Sequence, residues 1–121
     1  MFLSVVVLVN LDNATMVVRH PELAFETPVV AGKPATPTPE GVYVLEKAYS
    51  ATLDMPILIF RKDDNLIYAV HSNLPSRQRN LQSLTITDNK LSGGCIGIEQ
   101  KQFDKLWNSK KTMVMQVYGS S

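Results

Sequence analysis

Short runs of apolar and β-branched residues, separated by turn residues, dominate this 121-residue chain. The run Phe2–Val9 is continuous and rich in β-branched residues, a pattern typical of a strand buried on both faces. Two further runs, Thr15–His20 and Leu23–Val30, follow after turn signals. We expect these three strands to form an antiparallel meander.

The segment Ala31–Gly41 interrupts the pattern with three prolines. Because proline cannot donate to a strand ladder, this density predicts an extended, stiff loop. The loop is interpreted either as a rigid wall of a site or as a plain crossover. Strands are predicted again at Val42–Tyr49, Pro56–Phe60 and Leu66–His71, and the charged Arg61–Asn65 is predicted as a turn.

The segment Ser72–Gly94 is long and polar, with one brief predicted strand at Leu84–Thr87. In a compact domain such a connection is more often functional than filler. A short ordered segment is expected at Cys95–Ile98, and a final strand at Thr112–Tyr118.

The spacing of Phe103, Leu106 and Trp107 predicts a helix over Glu99–Asn108, with Trp107 in the core. The elements add up to one mainly-β domain over residues 1–121, with about seven to nine strands and one helix after the cysteine strand. The simplest architectures for such a chain are a β-sandwich and a partly closed barrel.

The bulk composition excludes several classes of function. Hydrophobic residues make up 45% of the chain, charged residues 19%, and the formal charge is +1. This is a globular composition without the basic excess of a nucleic-acid reader, so no nucleic-acid partner is expected. One cysteine and two histidines give no zinc-like cluster, so no metal is expected.

The apolar N-terminal run is far shorter than the ~20 residues needed to span a bilayer. It has no preceding basic residue and no small-residue cleavage site. We therefore expect a strand there, with neither a membrane span nor a signal peptide in this chain.

The only cysteine lies in the stretch SGGCIGI, directly after Gly93 and Gly94. Glycines allow the backbone to bend, so that successive N–H groups converge on the space where a thiolate attack on a carbonyl would create a negative oxygen. Cys95 is thus a candidate nucleophile. The alternative is a small apolar residue packed within a strand.

His71 ends its predicted strand on the same face as Ile67 and Ala69. A rigid imidazole at a strand end could accept the proton of a thiol. The alternative is a structural histidine bonded to a carbonyl. The sequence cannot show that His71 and Cys95 meet.

Four motifs in order carry a resemblance to a known family. They are Gly32-Lys33, the Thr-Pro loop leading to Gly41-Val42-Tyr43, the pair His71-Ser72, and Ser92-Gly93-Gly94-Cys95 followed by a helix. Over nearly its whole length the chain resembles the L,D-transpeptidase catalytic domain of bacterial cell-wall enzymes. The resemblance implies an L,D-transpeptidase-like fold without a cofactor.

The resemblance also implies roles for individual residues. Cys95 would be the nucleophile, His71 would relay its proton, and the Ser72 carbonyl would orient the imidazole. Gly93, Gly94 and Cys95 would supply the N–H groups of an oxyanion hole. The substrate would be a peptidoglycan stem peptide, cleaved or exchanged through a thioester acyl-enzyme by transpeptidation, carboxypeptidation or D-amino-acid exchange.

Candidate substrate contacts are Arg77, Arg79, Tyr43 and Ser92. Arginine is well suited to hold the carboxylates of a stem peptide, although the two arginines could equally be solvated loop charges. Tyr43 could instead pack as an ordinary strand tyrosine.

Two positions depart from the family's pattern, which usually has histidine at the position of Gly93 and arginine or asparagine at that of Gly97. Gly93 favours an alternative function, an inactive peptidoglycan-binding or structural module that keeps the fold. A third alternative is an unrelated β domain with a buried cysteine. The family resemblance places the expected site of action in the periplasm or cell wall of a bacterium, with a bacterial or phage origin and an unidentified delivery partner.

Overall fold

The computed structural model describes residues 3–32, 35–64, 66–73, 85–87 and 90–119. Within these residues the chain forms eleven strands and one helix. The strands are β1 Val5–Asn10, β2 Thr15–Arg19, β3 Phe25–Pro28, β4 Gly41–Val44, β5 Glu46–Ser50, β6 Met55–Asp63, β7 Leu66–Ser72, β8 Thr85–Thr87, β9 Lys90–Leu91, β10 Ile96–Ile98 and β11 Met113–Tyr118. The helix α1, Gln100–Trp107, joins β10 to β11.

The first sheet has the strand order β3-β2-β1-β11-β4. Strands β1, β2 and β3 pair antiparallel in sequence, which confirms the predicted meander. Along β1, Val5, Val7 and Val9 are fully buried, whereas Val6 is 40% exposed. The prediction that this strand is buried on both faces is therefore wrong, because only one face of the sheet meets the core.

The second sheet has the order β10-β7-β6-β5-β8, and β9 pairs with β7 as well. The central parts of β6 and β7 are buried on both faces, because successive side chains alternate between two clusters. On β6, Leu58 and Phe60 enter the main core, and Ile57 and Ile59 enter a smaller second cluster.

The main core lies between the two sheets and includes side chains from both. Phe103 and Leu106 of α1 are fully buried in it, as the apolar spacing predicted. Trp107 is only partly buried and stacks on Phe103, with ring centroids 5.9 Å apart. In the described part of the chain the sheets do not close into a barrel, so the mainly-β fold is a two-sheet sandwich.

The predicted strand Val42–Tyr49 is divided between the two sheets. Strand β4 pairs with β11 in the first sheet, and β5 pairs with β6 and β8 in the second. Leu45 lies at the crossing, buried in the main core, with its N–H donating to the Met113 carbonyl. This splitting is one reason why the strands outnumber the prediction. The predicted turn at Arg61–Asn65 is also shorter than expected, because β6 continues to Asp63.

The face of the second sheet that points away from the main core positions the candidate site. On β7 this face carries Ile67, Ala69 and His71. Ile67 and Ala69 belong to the second cluster, and Cys95 packs against its edge. His71 and Cys95 thus lie on the same side of the second sheet.

Candidate active site

A four-residue turn, Ser92 to Cys95, brings the thiol to the edge of β7. The strands on either side of the turn, β9 and β10, both pair parallel with β7. The Ser92 N–H donates to the Ile67 carbonyl over 2.8 Å, and the Ser92 hydroxyl accepts from the Gly94 N–H over 2.8 Å. The bond to Ile67 and the pairing of Ile96 with Val70 fix the two ends of the turn against β7, and the Gly94–Ser92 bond closes the turn internally.

The Cys95 sulfur is held by the backbone of β7. The Ala69 N–H donates to Sγ over 3.4 Å, and Sγ lies 3.7 Å from the Ile67 carbonyl oxygen. Burial raises the pKa of the thiol, and the backbone hydrogen bonds from Ala69 and Ser92 only partly oppose this. At neutral pH the resting residue therefore carries its proton, and a nearby base is needed to form the thiolate.

One ring nitrogen of His71 is in a hydrogen bond. Its Nδ1 lies 3.0 Å from the Ser72 carbonyl oxygen. Since a carbonyl can only accept, Nδ1 carries the hydrogen and Nε2 of the neutral ring is left as an acceptor. This is the tautomer that a base for a thiol requires.

A cavity of about 420 Å³ brings the candidate residues together. Cys95, His71, Ser92 and Gly93 all line it. Ser72 contributes its carbonyl to the ring of His71 from the adjacent position. The Gly94 N–H, one of the three candidate oxyanion donors, is already bonded to the Ser92 hydroxyl, and the Cys95 N–H makes a long 3.4 Å contact to the Ser92 carbonyl.

The proline-containing loop lies directly on the cysteine turn. Thr38 is 4% exposed, accepts from the Gly32 N–H and donates to the Gly94 carbonyl, each over 2.9 Å. A Cβ at Gly93 would lie 2.7 Å from the Thr36 hydroxyl, and a Cβ at Gly94 would lie 2.6 Å from the Pro37 carbonyl oxygen. The close approach of this loop gives both glycines a steric reason in addition to the bending inferred from the sequence.

The other candidate substrate contacts are Tyr43, Arg77 and Arg79. The Tyr43 hydroxyl donates to the Pro39 and Glu40 carbonyls, and its ring packs on Phe60 with centroids 5.1 Å apart. Tyr43 is thus tied to the proline-containing loop and does not line the cysteine cavity. Arg77 and Arg79 lie outside the described residues.

A second cavity of about 480 Å³ shares Thr36, Ser92 and Gly93 with the first. It also contains Arg61, whose guanidinium pairs with Asp63 at 3.0 Å and lies 5.9 Å from the Tyr68 ring centroid. The sequence assigned Arg61 to a turn. Arg61 lies directly after a register shift in the β6–β7 pairing, between Ile59 and Arg61. Such an irregularity is not signalled by an apolar pattern.

Sequence reasoning also missed Thr36 and Asn73 as lining residues of the cysteine cavity. Asn73 had a usable signal, since it lies two residues after His71 and so shares its face if the strand conformation continues. Thr36 had none, because its approach to Gly93 joins segments far apart in the chain.

A family model for the YkuD L,D-transpeptidase catalytic domain matches residues 4–116. The chain belongs to the L,D-transpeptidase catalytic domain family. A search of curated proteins gives no match for it.

Solved L,D-transpeptidase structures share the fold. An Enterococcus faecium L,D-transpeptidase, crystallised as a cysteine-to-serine mutant, aligns with 97% of this chain at TM-score 0.63 and 23% identity. L,D-transpeptidase 3 from Mycobacterium tuberculosis aligns with 95% at TM-score 0.63 and 19% identity, and an L,D-transpeptidase from Xylanimonas cellulosilytica with 98% at TM-score 0.62 and 18% identity.

This chain spans 50%, 61% and 62% of those three structures, in the same order. At these identities the likeness concerns the fold. The family domain described here has one eight-residue helix, and no helix among the described residues is long and apolar enough to cross a bilayer. The same residues hold no cluster of three or more histidine, cysteine or acidic side chains suited to a metal ion.

Proposed function

We propose that this domain is a cysteine-dependent acyltransferase or hydrolase that acts on peptidoglycan stem peptides in the periplasm or cell wall. The observation that carries the proposal is the shared cavity, which both the partly buried Cys95 and an imidazole of the required tautomer line. Family membership supports the peptide substrate.

The reaction would begin with transfer of the thiol proton to Nε2 of His71. The Cys95 sulfur would then bond to the carbonyl carbon at the L-centre of the diamino-acid residue. Collapse of this intermediate would break the amide bond, and the imidazolium would return the proton to the departing D-alanine amine. A thioester remains, and an amine of another stem, a free D-amino acid or water would release it.

The amides of Gly93, Gly94 and Cys95 are the proposed donors to the negative oxygen of that intermediate. In the resting turn the Gly94 N–H donates to the Ser92 hydroxyl. Substrate binding would have to share or replace this bond, and one such donor is commonly worth about 3 kcal/mol in the transition state.

The proposed substrate contacts are Arg77 and Arg79 for carboxylates of the stem and Ser92 at the cavity wall. Tyr43 would act through the proline-containing loop, whose carbonyls hold its hydroxyl. These roles remain predictions.

The test is incubation with a stem tetrapeptide followed by intact-mass measurement and analysis of the released products. We expect a thioester adduct on the native chain, none on Cys95→Ala, and slow formation on His71→Ala. Release of D-alanine with addition of water would indicate a carboxypeptidase. Incorporation of a free D-amino acid would indicate an exchange enzyme, and two stems joined to each other would indicate a transpeptidase.

A second candidate function is a non-catalytic peptidoglycan-binding module. The raised pKa of the thiol and the engaged Gly94 N–H favour it, because both oppose thiolate attack in the resting site. Two results together would support the module over the enzyme: the protein sediments with purified sacculi, and its thiol stays unreactive from pH about 6 to 9.

A further inference from the structure

Gly97 lines the cysteine cavity. Its backbone lies between β7 on one side and Val30 on the other. It is the register partner of His71 in the β7–β10 ladder, and its N–H and C=O both bond to Val30, over 2.8 and 2.9 Å. With neighbours bonded on both sides, the Gly97 backbone has little freedom to move. Any side chain added there would enter the cavity on the same face as the imidazole.

The space above Gly97 is taken by Asn73. A Cβ built on Gly97 would overlap the Asn73 Oδ1 and would lie 3.7 Å from Cε1 of His71. The carboxamide of Asn73 therefore stands beside the imidazole, in the volume that a side chain at position 97 would otherwise use.

The backbone fixes the position of Asn73. Its N–H donates to the Ile98 carbonyl over 2.7 Å, which extends the β7–β10 pairing by one residue. The side chain is exposed and lines the same cavity as Cys95. A carboxamide offers both a donor and an acceptor, the same pair of functions that a peptide group presents.

We propose that Asn73 is a substrate-contact residue, whose carboxamide hydrogen-bonds a peptide group of the acyl donor next to His71 and Cys95. Gly97 contributes by leaving that volume to the Asn73 carboxamide. This inference rests on the proposed function, since it assigns the contact to the stem peptide.

The first test compares two reactions of the same thiol. In Asn73→Ala we expect acylation by a stem tetrapeptide to slow about five- to tenfold, the usual effect of one lost hydrogen bond. Reaction with methyl methanethiosulfonate, which has no peptide group, should stay within about twofold of the native rate. Asn13→Ala, an exposed asparagine in the β1–β2 turn, is the matched control and should alter neither reaction.

The second test uses Gly97→Ala. The new methyl group displaces only the end of a flexible side chain and meets the imidazole at an ordinary contact distance, so the variant should fold. We expect it to slow peptide acylation about as much as Asn73→Ala. Because both changes remove the same contact, Gly97→Ala should add little further loss in the Asn73→Ala background.

The possible outcomes separate this inference from the proposed function. If the stem tetrapeptide acylates the native chain and Asn73→Ala at the same rate, the substrate contact is wrong, but the proposed function stands. Equal slowing of both reactions in Asn73→Ala also overturns it, since the thiol itself would then be disturbed. Absence of acylation on the native chain overturns the proposed function, and this inference with it.

Discussion

Burial raises the pKa of the Cys95 thiol above its ordinary value, and this outweighs the backbone hydrogen bonds from Ala69 and Ser92. Because the thiolate is the reactive form, a higher pKa means less thiolate at neutral pH. We expect methyl methanethiosulfonate to react more slowly at pH about 7 than with an exposed cysteine in a short peptide, and the rate to rise as pH increases.

The midpoint of this pH profile should lie above that of the peptide. His71→Ala should keep the raised midpoint, because its cause is burial of the sulfur and not a charge on the ring. A midpoint at or below the peptide value would instead indicate a resting thiolate–imidazolium pair.

Gly93 and Thr36 provide a steric test of the cavity wall. A Cβ at Gly93 would lie 2.7 Å from Oγ1 and 2.9 Å from Cβ of Thr36, so Gly93→Ala should cost about 1–3 kcal/mol of unfolding free energy. Thr36→Gly should recover most of that loss in the double variant. Urea unfolding of the four proteins measures the coupling, and additive effects would show that the contact is not the constraint.

Sequence reasoning could find the site residues that residue type and motif single out. Cys95, His71, Ser92 and Gly93 were selected by residue type and motif, and they do line one cavity. Thr36, Asn73 and Arg61 were not selected, because their placement depends on a loop approach, a neighbouring glycine and a register shift. Asn73 had a local signal in its spacing from His71, but the placement of Thr36 and Arg61 depends on long-range geometry that local patterns do not carry.

Among the elements, the proline-containing loop determines the shape of the cavity. Thr38 links it to the cysteine turn through bonds to the Gly32 N–H and the Gly94 carbonyl. Thr38→Val keeps the shape of the side chain but leaves both groups without their partner. We expect a loss of about 1–3 kcal/mol in urea unfolding and faster reaction of Cys95 with thiol reagents as the loop loosens.

Thr15→Val is the matched control, since the Thr15 hydroxyl makes a single exposed bond to the Asn13 carbonyl. It should change neither stability nor thiol reactivity appreciably. If Thr38→Val behaves like this control, the loop is held by other contacts. The proline content predicted a stiff loop, but the single buried threonine that anchors it carried no recognisable signal.

At the scale of the whole molecule, the chain must distribute its strands between two sheets. The alternating and continuous apolar runs were sufficient to predict a mainly-β fold with one helix, because those patterns are local. They could not show that the run from Val42 to Tyr49 changes sheet, since both halves have strand-like residues. The exposed fractions differ sharply at the crossing: Val44 is 63% exposed and Leu45 only 7%.

Leu45 therefore joins the two sheets at one point of the main core, and its loss should weaken the whole sandwich. Leu45→Ala removes a buried side chain at the crossing, so we expect about 2–5 kcal/mol less unfolding free energy in urea. Val44→Ala, one residue away and facing outward, should cost less than about 1 kcal/mol. Since Leu45 does not line the cysteine cavity, folded Leu45→Ala should keep the native pH profile of thiol modification. Similar losses for the two variants would show that the sheets are not coupled through this residue.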